Sequence, residues 1–332
     1  MHTLYDLGQL APLGPSVLSL GVFDGLHIGH RRVLTRAAEI ARDHGGQAVA
    51  VVFWPHPEAV LLPGSDTPVL TMLEERLDLM AGLGVLDAAV VVPFSPELAA
   101  LAPDAFLERL TRWCAPIAFV EGPDFAFGRN REGDLTHLRE AGRQRGFTVE
   151  TLDVSDRDGR VSSSRIRALI AEGQIEDATR LLGGPYRLVG EVIHGDKRGR
   201  ELGYPTANLR LDPRKLLPAN GIYAVRVRLP GEDEATHAGV ASVGVRPTFG
   251  RDPKPLVEVF LLDASMDLYG LTLAVDIVGR LREERRYDSV DALIAQMAHD
   301  VENARRLLED EQARPASQIM ERQEQGQERV AR

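Results

Sequence analysis

A single cysteine, Cys114, stands in 332 residues. That excludes an internal disulfide and fits a reducing compartment. Its neighbours Trp113 and Ala115 suit a packed thiol better than a nucleophile. No apolar run approaches the roughly 20 residues of a membrane-spanning helix, and Met1-His2-Thr3-Leu4-Tyr5-Asp6 opens no signal peptide, so a cytoplasmic protein is expected. Excess positive charge is lacking as well. The 39 Lys and Arg against 49 Asp and Glu leave a net charge of -10, which argues against a nucleic-acid binder. Anionic ligands must then be held by local groups. A Walker A pattern is absent, so any phosphate transfer uses another cradle. No internal repeat occurs.

What is present is an ordinary globular composition, 44% hydrophobic and 27% charged, at a length that suits two domains. The chain is organised around Leu18-Ser19-Leu20-Gly21-Val22-Phe23-Asp24-Gly25-Leu26-His27-Ile28-Gly29-His30. An apolar strand, Val17 to Val22, runs into a glycine-rich turn carrying two histidines, and an amphipathic helix begins just after His30. Gly21, Gly25 and Gly29 let backbone approach a ligand, and a helix start offers free N–H groups to an anion. Two imidazoles there can donate to phosphate oxygens as charge grows during displacement at phosphorus. A zinc site of His27, His30 and Asp24 is the competing reading, but no neighbouring His or Cys completes four ligands. An H-x-G-H turn between strand and helix resembles the nucleotidylyltransferase superfamily.

Further apolar runs, Ala48 to Phe53, Ala88 to Pro93, Ile117 to Val120 and Val149 to Val154, read as strands buried on both faces. Helical patterns separate them. Gly45-Gly46 ends the first helix, Thr71 and Glu74 form a possible capping box, and Pro103 suits a first turn. The alternation predicts a doubly wound parallel sheet, with ligands beyond the carboxyl ends of its strands. Three loops are expected there: Phe53-Trp54-Pro55-His56-Pro57, then Glu121-Gly122-Pro123-Asp124-Phe125-Ala126-Phe127-Gly128, then Val161-Ser162-Ser163-Ser164-Arg165-Ile166-Arg167. Ser163, Ser164 and Arg167 would make a second anion clamp. Phe125 and Phe127, two apart in an extended loop, share a side and would meet a planar ring ligand or else join the core, with Asp124 beside them as a further binding residue.

Gly183-Gly184-Pro185 interrupts the pattern and marks a boundary. Beyond it Ile222 to Leu229, Val257 to Leu261 and Leu273 to Ile277 alternate, as in an antiparallel barrel with one wet face. A helix from Ser289 with Val290, Leu293, Ile294, Met297, Val301, Ala304 and Leu308 on one stripe is expected to pack on it. The chemistry-bearing stretch is His194 to Asn208. Gly195, Gly199 and Gly203 could form a mobile flap with Lys197 as its positive charge, or an ordinary charged hairpin turn. Thr206 and Asn208 present a hydroxyl and an amide carbonyl, hard oxygens suited to magnesium. Glu258, within an apolar strand, is either an outward-facing residue or a general base.

Taken together, G-x-F-D-G-x-H-x-G-H, F-x-P-H-P, G-x-D-F-x-F-G, S-S-x-x-I-R and the Gly203-Tyr204-Pro205-Thr206-Ala207-Asn208 motif resemble the prokaryotic bifunctional riboflavin kinase/FAD synthetase family. Asn220-Gly221-Ile222-Tyr223, Gly244-Val245-Arg246-Pro247-Thr248 and Asp267-Leu268-Tyr269-Gly270 carry the same likeness, which runs from about Ser16 to Leu308. Ser164, Ser242, Phe260 and Ala264 depart from the usual family residues. The resemblance implies an α/β plus β protein. Residues 1–184 would form the FMN adenylyltransferase domain, 185–310 a riboflavin kinase barrel with a C-terminal helix, and 311–332 a disordered tail. It implies His27, His30 and Glu258 as catalytic groups. Gly21, Phe23, Gly25 and Gly29 would contact nucleotide, and Thr206 and Asn208 would hold Mg2+ with ATP. Riboflavin, FMN and FAD are the implied flavins. No nucleic acid, membrane or obligatory protein partner is implied. Activity at only one of the two sites, or a non-catalytic flavin sensor, are the rival readings.

Overall fold

The computed structural model describes residues 1–5, 13–62, 64–65, 67–156, 158–195, 203–231, 235–246, 254–264 and 266–313. The chain folds as two units, Met1–Ser163 and Ser164–Arg332.

Six parallel strands form the first unit's sheet in the order β1-β4-β3-β2-β5-β8. These are β1 (His2–Tyr5), β2 (Leu13–Gly21), β3 (Gln47–Trp54), β4 (Ala88–Pro93), β5 (Cys114–Glu121) and β8 (Thr148–Thr151). Two-residue strands β6 (Ala126–Phe127) and β7 (Gly133–Asp134) pair between β5 and β8, as do β9 (Ser155–Asp156) and β10 (Gly159–Arg160) after it. Successive side chains of each long strand enter opposite cores. Val17, Ala48, Ala50, Val52, Ala89 and Val120 meet α1 (Ile28–Asp43) and α3 (Leu73–Gly82) on one face. Leu18, Leu20, Val49, Val51, Val90 and Phe119 meet α5 (Pro103–Trp113) and α6 (Leu135–Arg145) on the other. Burial on both faces is why these strands read as continuous apolar runs. Short helices α2 (Pro57–Leu61) and α4 (Pro96–Ala99) follow β3 and β4. Strand order reverses on either side of β2, which places the crevice of this topology at its carboxyl end.

Two local expectations are corrected. The α1 helix starts at Ile28 and so includes His30 in its first turn. The cap of α3 lies one residue later than expected: Glu75 accepts from the amide of Met72 at 2.7 Å, while Thr71 is engaged elsewhere.

Glu121 closes β5 and is buried, with Oε1 accepting the Leu20 amide at 2.9 Å. Burial pushes its pKa well above the ordinary carboxylate range, against the smaller pull of that amide. The folded chain therefore retains a proton that the unfolded chain loses above its ordinary pKa. Stability is fullest below that value and declines as pH rises towards the folded pKa. Glu121→Gln, which cannot ionise, should flatten the decline and raise Tm by a few degrees at pH 8 with little change at pH 4. Parallel thermal melts of both proteins across that range test this; a Tm difference independent of pH would refute it.

The second unit holds α7 (Ser163–Glu172) from Ser164 onward, α8 (Ile175–Leu182), the last helix, α9 (Val290–Ala313), and a closed barrel. Its order is β11-β12-β15-β14-β13-β16, antiparallel throughout. The strands are β11 (Tyr186–Ile193), β12 (Ala207–Arg210), β13 (Gly221–Arg228), β14 (His237–Arg246), β15 (Lys254–Leu261) and β16 (Thr272–Arg282). Leu188, Val192, Tyr223, Val225, Ala241, Val257, Val259 and Val275 are buried at alternate positions. The α8 helix packs against β11 and β16, so the unit division falls ahead of the Gly184 interruption. Ala304 and Leu308 of α9 are buried on the barrel, but Val290 is exposed and leaves the expected stripe. The α9 helix continues to Ala313, so residues 311–313 are helical. The rest of the expected tail lies outside the described residues.

Candidate active sites

The first site is the turn leaving β2. Three residues of this turn have left-handed backbone: Phe23 (φ 53°), Gly25 (φ 79°) and Leu26 (φ 38°). Such a turn needs outside support where it is not glycine. Asp24, buried, supplies it by accepting from the amides of Leu70 at 3.0 Å and Thr71 at 2.9 Å. The hydroxyl of Thr71 accepts from the Gly25 amide at 2.9 Å. These bonds employ the Asp24 carboxylate, which removes it from the zinc reading. Among the described residues, no group of three or more His, Cys, Asp or Glu could hold a metal ion.

His27 caps α1: its Nδ1 accepts the His30 amide at 3.3 Å. An accepting Nδ1 puts the proton of the neutral ring on Nε2, leaving that atom a donor. The His30 ring stacks on His27, centroids 3.5 Å apart and planes within 16°, with Phe23 edge-on at 5.3 Å. Burial depresses the His27 pKa to about 4, partly opposed by Asp24. His30 lies well below its ordinary value through burial, then through the His27 and Arg76 charges. Both rings are neutral donors at pH 7 rather than cations. A Cβ on Gly29 would come within 3.1 Å of the His27 ring. At Gly21 a Cβ would meet only the Phe23 ring, at 3.4 Å, so the fold itself does not demand glycine there.

Ser163 reaches the same turn, donating its hydroxyl to the Asp24 carbonyl at 2.8 Å. Ser164 and Arg167 follow on α7, in the second unit. Asp124 pairs with Arg160, whose charge also reaches His27. Phe125 stacks over Phe127 at 5.5 Å, but Phe127 is buried against Phe106, so it is a core residue and the planar-ligand expectation is corrected to Phe125 alone. Arg160 and Arg76 were not singled out from sequence. The signal available for Arg160 was its position two residues ahead of the serine run.

The second site lies on the outer face of the barrel. Glu258 sits in register between Asn208 on β12 and Ser242 on β14. The Thr206 hydroxyl lies 3.5 Å from Glu258 Oε1, at the long limit for a hydrogen bond. Asn208 is buried, and among the described residues its Oδ1 has no hydrogen-bond partner. A Cβ on Gly195 would fall within 2.6 Å of that oxygen, so only glycine fits beside it. A buried, unpaired amide oxygen next to a hydroxyl and a carboxylate is the donor set a hard cation would satisfy. Gly203 follows with φ 84°. Lys197 and Gly199 lie outside the described residues. Phe260 packs edge-on against Tyr204 at 5.3 Å, which gives its departure from the usual residue a local partner.

Comparison with known proteins is consistent along the chain. A family model for FAD synthetase matches residues 11–165, and one for riboflavin kinase matches residues 182–308. A bifunctional riboflavin kinase/FMN adenylyltransferase of Listeria monocytogenes is 39% identical over 87% of this chain and 91% of its own. The chain belongs to that family. The Escherichia coli (strain K12) member is 38% identical over 91% of this chain and 95% of its own. A crystal structure from Streptococcus pneumoniae, described as a macrolide-efflux protein, is 31% identical with a TM-score of 0.84. It covers 92% of this chain and 99% of that one. Among the described residues no helix here is long and apolar enough to cross a membrane. Each family model lies over one of the two constellations: the β2 turn falls in the first, and Asn208 with Glu258 in the second.

Proposed function

We infer that this chain carries out both reactions named for its relatives. Riboflavin is phosphorylated by ATP to FMN on the barrel, and FMN is adenylylated by a second ATP to FAD and pyrophosphate at the β2 turn. The observation that carries the reading is identity of 35–39% to bifunctional members over most of the chain, with both family models matched. The protein is a flavin-cofactor transferase, both a kinase and a nucleotidyltransferase.

At the β2 turn a phosphate oxygen of FMN attacks the α-phosphorus of ATP, and the bond to the bridging oxygen breaks as pyrophosphate leaves. His27 Nε2–H and His30 donate to the oxygens on which charge accumulates, in a dry setting that strengthens each bond. Gly21, Phe23, Gly25 and Gly29 shape the nucleotide loop, Ser163 adds a hydroxyl beside it, and Asp124 and Phe125 border the flavin; Ser164 and Arg167 of α7 are further anion-binding groups. On the barrel, Glu258 takes the proton of the terminal ribityl hydroxyl as that oxygen attacks the γ-phosphorus and ADP departs. Thr206 and Asn208 would hold Mg2+, which when bound neutralises polyphosphate charge. Gly195, Lys197, Gly199 and Gly203 would border the nucleotide. Neither step needs a covalent intermediate, because positioning and charge suffice. We place the break between catalytic modules near Gly184, two residues beyond the start of the riboflavin kinase match. A buried Cys114 thiol, raised by burial to about 11, and ATP as substrate suit a cytoplasmic setting.

The test is to incubate the protein with riboflavin, ATP and magnesium and to separate the flavins. FMN followed by FAD is expected; riboflavin bound unchanged would mean a sensor, and FMN alone a kinase. The cation assignment has its own prediction. Asn208→Ala should raise the magnesium needed for half-maximal riboflavin phosphorylation about 10-fold or more. Tm should not fall, since the lost oxygen is an unsatisfied buried group. Normal kinase turnover across a magnesium titration would refute the ligand role.

A further inference from the structure

The guanidinium of Arg76 donates from all three of its nitrogens beside the β2 turn and lies outside every motif used above. It is fully buried, carried by α3, and its planar fork divides between two targets. Towards the turn, Nη1 donates to the Val22 carbonyl at 2.6 Å and Nη2 to Asp24 Oδ1 at 3.0 Å. Towards its own helix start, Nη2 donates to the Thr71 carbonyl at 2.8 Å and Nε to the Thr71 hydroxyl at 3.2 Å. The Trp54 ring at the end of β3 lies beneath it, 5.3 Å from its central carbon.

These bonds fall on both sides of Phe23, whose left-handed φ is costly for a side chain of that size. Val22 before it and Asp24 after it are held by one rigid group. The next residues, Gly25 and Leu26, lead straight into His27 and the α1 cap. A small rotation at Phe23 would move His27 and, through its cap bond, the start of α1 that carries His30. Burial of such an ion pair is weak evidence of stability, because desolvation offsets most of the attraction. A buried planar fork is good at fixing geometry.

We propose that Arg76 is a positioning residue for adenylyl transfer, locking the Val22–Asp24 turn so that His27 and His30 meet the reacting phosphates. This rests on the adenylylation reading given above. Arg76 touches no substrate and acts through the turn. It should therefore set kcat for FAD formation while KM for FMN and ATP moves little.

The full chain supplies an internal control, since riboflavin phosphorylation occurs in the other unit. Arg76→Lys retains a cation but loses the fork. Its FAD formation from supplied FMN should drop about 10- to 100-fold in kcat, as for other small misplacements of reacting groups. Both KM values should stay within about threefold, and riboflavin phosphorylation should remain at the wild-type level. The double variant Arg76→Met/Asp24→Asn removes both buried charges, so no unpaired carboxylate is left to unfold the unit. It should show the same kcat loss. The proposal is overturned if Arg76→Lys, or the folded double variant, forms FAD at the wild-type kcat. It is equally overturned if kinase and adenylyltransferase rates fall in proportion, or if the loss lies in KM alone, as a merely structural role would give. Should the wild type itself fail to adenylylate FMN, the underlying reading fails instead, and the two failures are told apart by that one reaction.

Discussion

Replacing Glu258 by glutamine is expected to lower the turnover of riboflavin phosphorylation by about 10²–10⁴-fold. The exchange preserves volume and one carbonyl oxygen, so cross-strand packing against Asn208 and Ser242 should survive. What is lost is the capacity to take a proton from the attacking hydroxyl. The half-buried carboxylate stands on an outward position of β15, between Val257 and Val259, which face the barrel interior. Among the described residues the Thr206 hydroxyl is its side-chain hydrogen-bond neighbour, at a long 3.5 Å, which leaves its oxygens accessible to a substrate. FAD formation from supplied FMN should be nearly untouched, since that chemistry belongs to the other unit. The variant is to be fed riboflavin and, separately, FMN with ATP and magnesium. If it retains native circular dichroism yet cannot make FAD from FMN, the division of labour is wrong.

The parts of this molecule that could be read from sequence are those governed by local pattern. Strands β2 to β5 are buried on both faces, so their apolar runs are nearly continuous, with Ser19 a buried interruption in β2. The H-x-G-H turn is legible because the strand before it and the helix after it are both visible. The β1 strand is not, since four mostly exposed residues on a sheet edge carry no pattern that distinguishes them from a loop. Thr71 illustrates a different limit. A threonine three residues ahead of a glutamate looks like a local cap, yet it binds Asp24, 47 residues away in sequence. Arg76 hides for the same reason: within Leu73-Glu74-Glu75-Arg76 it reads as one more surface charge, and only the long-range turn makes a buried partner for it. On the barrel, Thr206, Asn208 and Glu258 could be nominated singly. Their meeting depends on the register of β12 with β15, which closure of the barrel sets.

His30→Ala is expected to produce the opposite split, with FAD formation from FMN falling about 10²-fold and riboflavin phosphorylation unchanged. Removing one donor aimed at developing negative charge costs roughly 3 kcal/mol in the barrier. The structure supplies two reasons for a large effect. The ring is buried, so its N–H donates in a setting where water does not compete and each bond is stronger than in solvent. It also stacks on His27 at 3.5 Å, so its loss frees the second imidazole to tilt. His27 keeps its cap bond in the variant, because the acceptor is its own Nδ1 and the donor is the backbone amide of residue 30. The α1 helix should consequently start at the same residue, and a measured loss reflects chemistry rather than a frayed helix. The decisive readout is the pair of rates on one preparation. If His30→Ala stops FMN production from riboflavin, or leaves FAD formation within about threefold of wild type, His30 has no role in stabilising the adenylyl-transfer transition state.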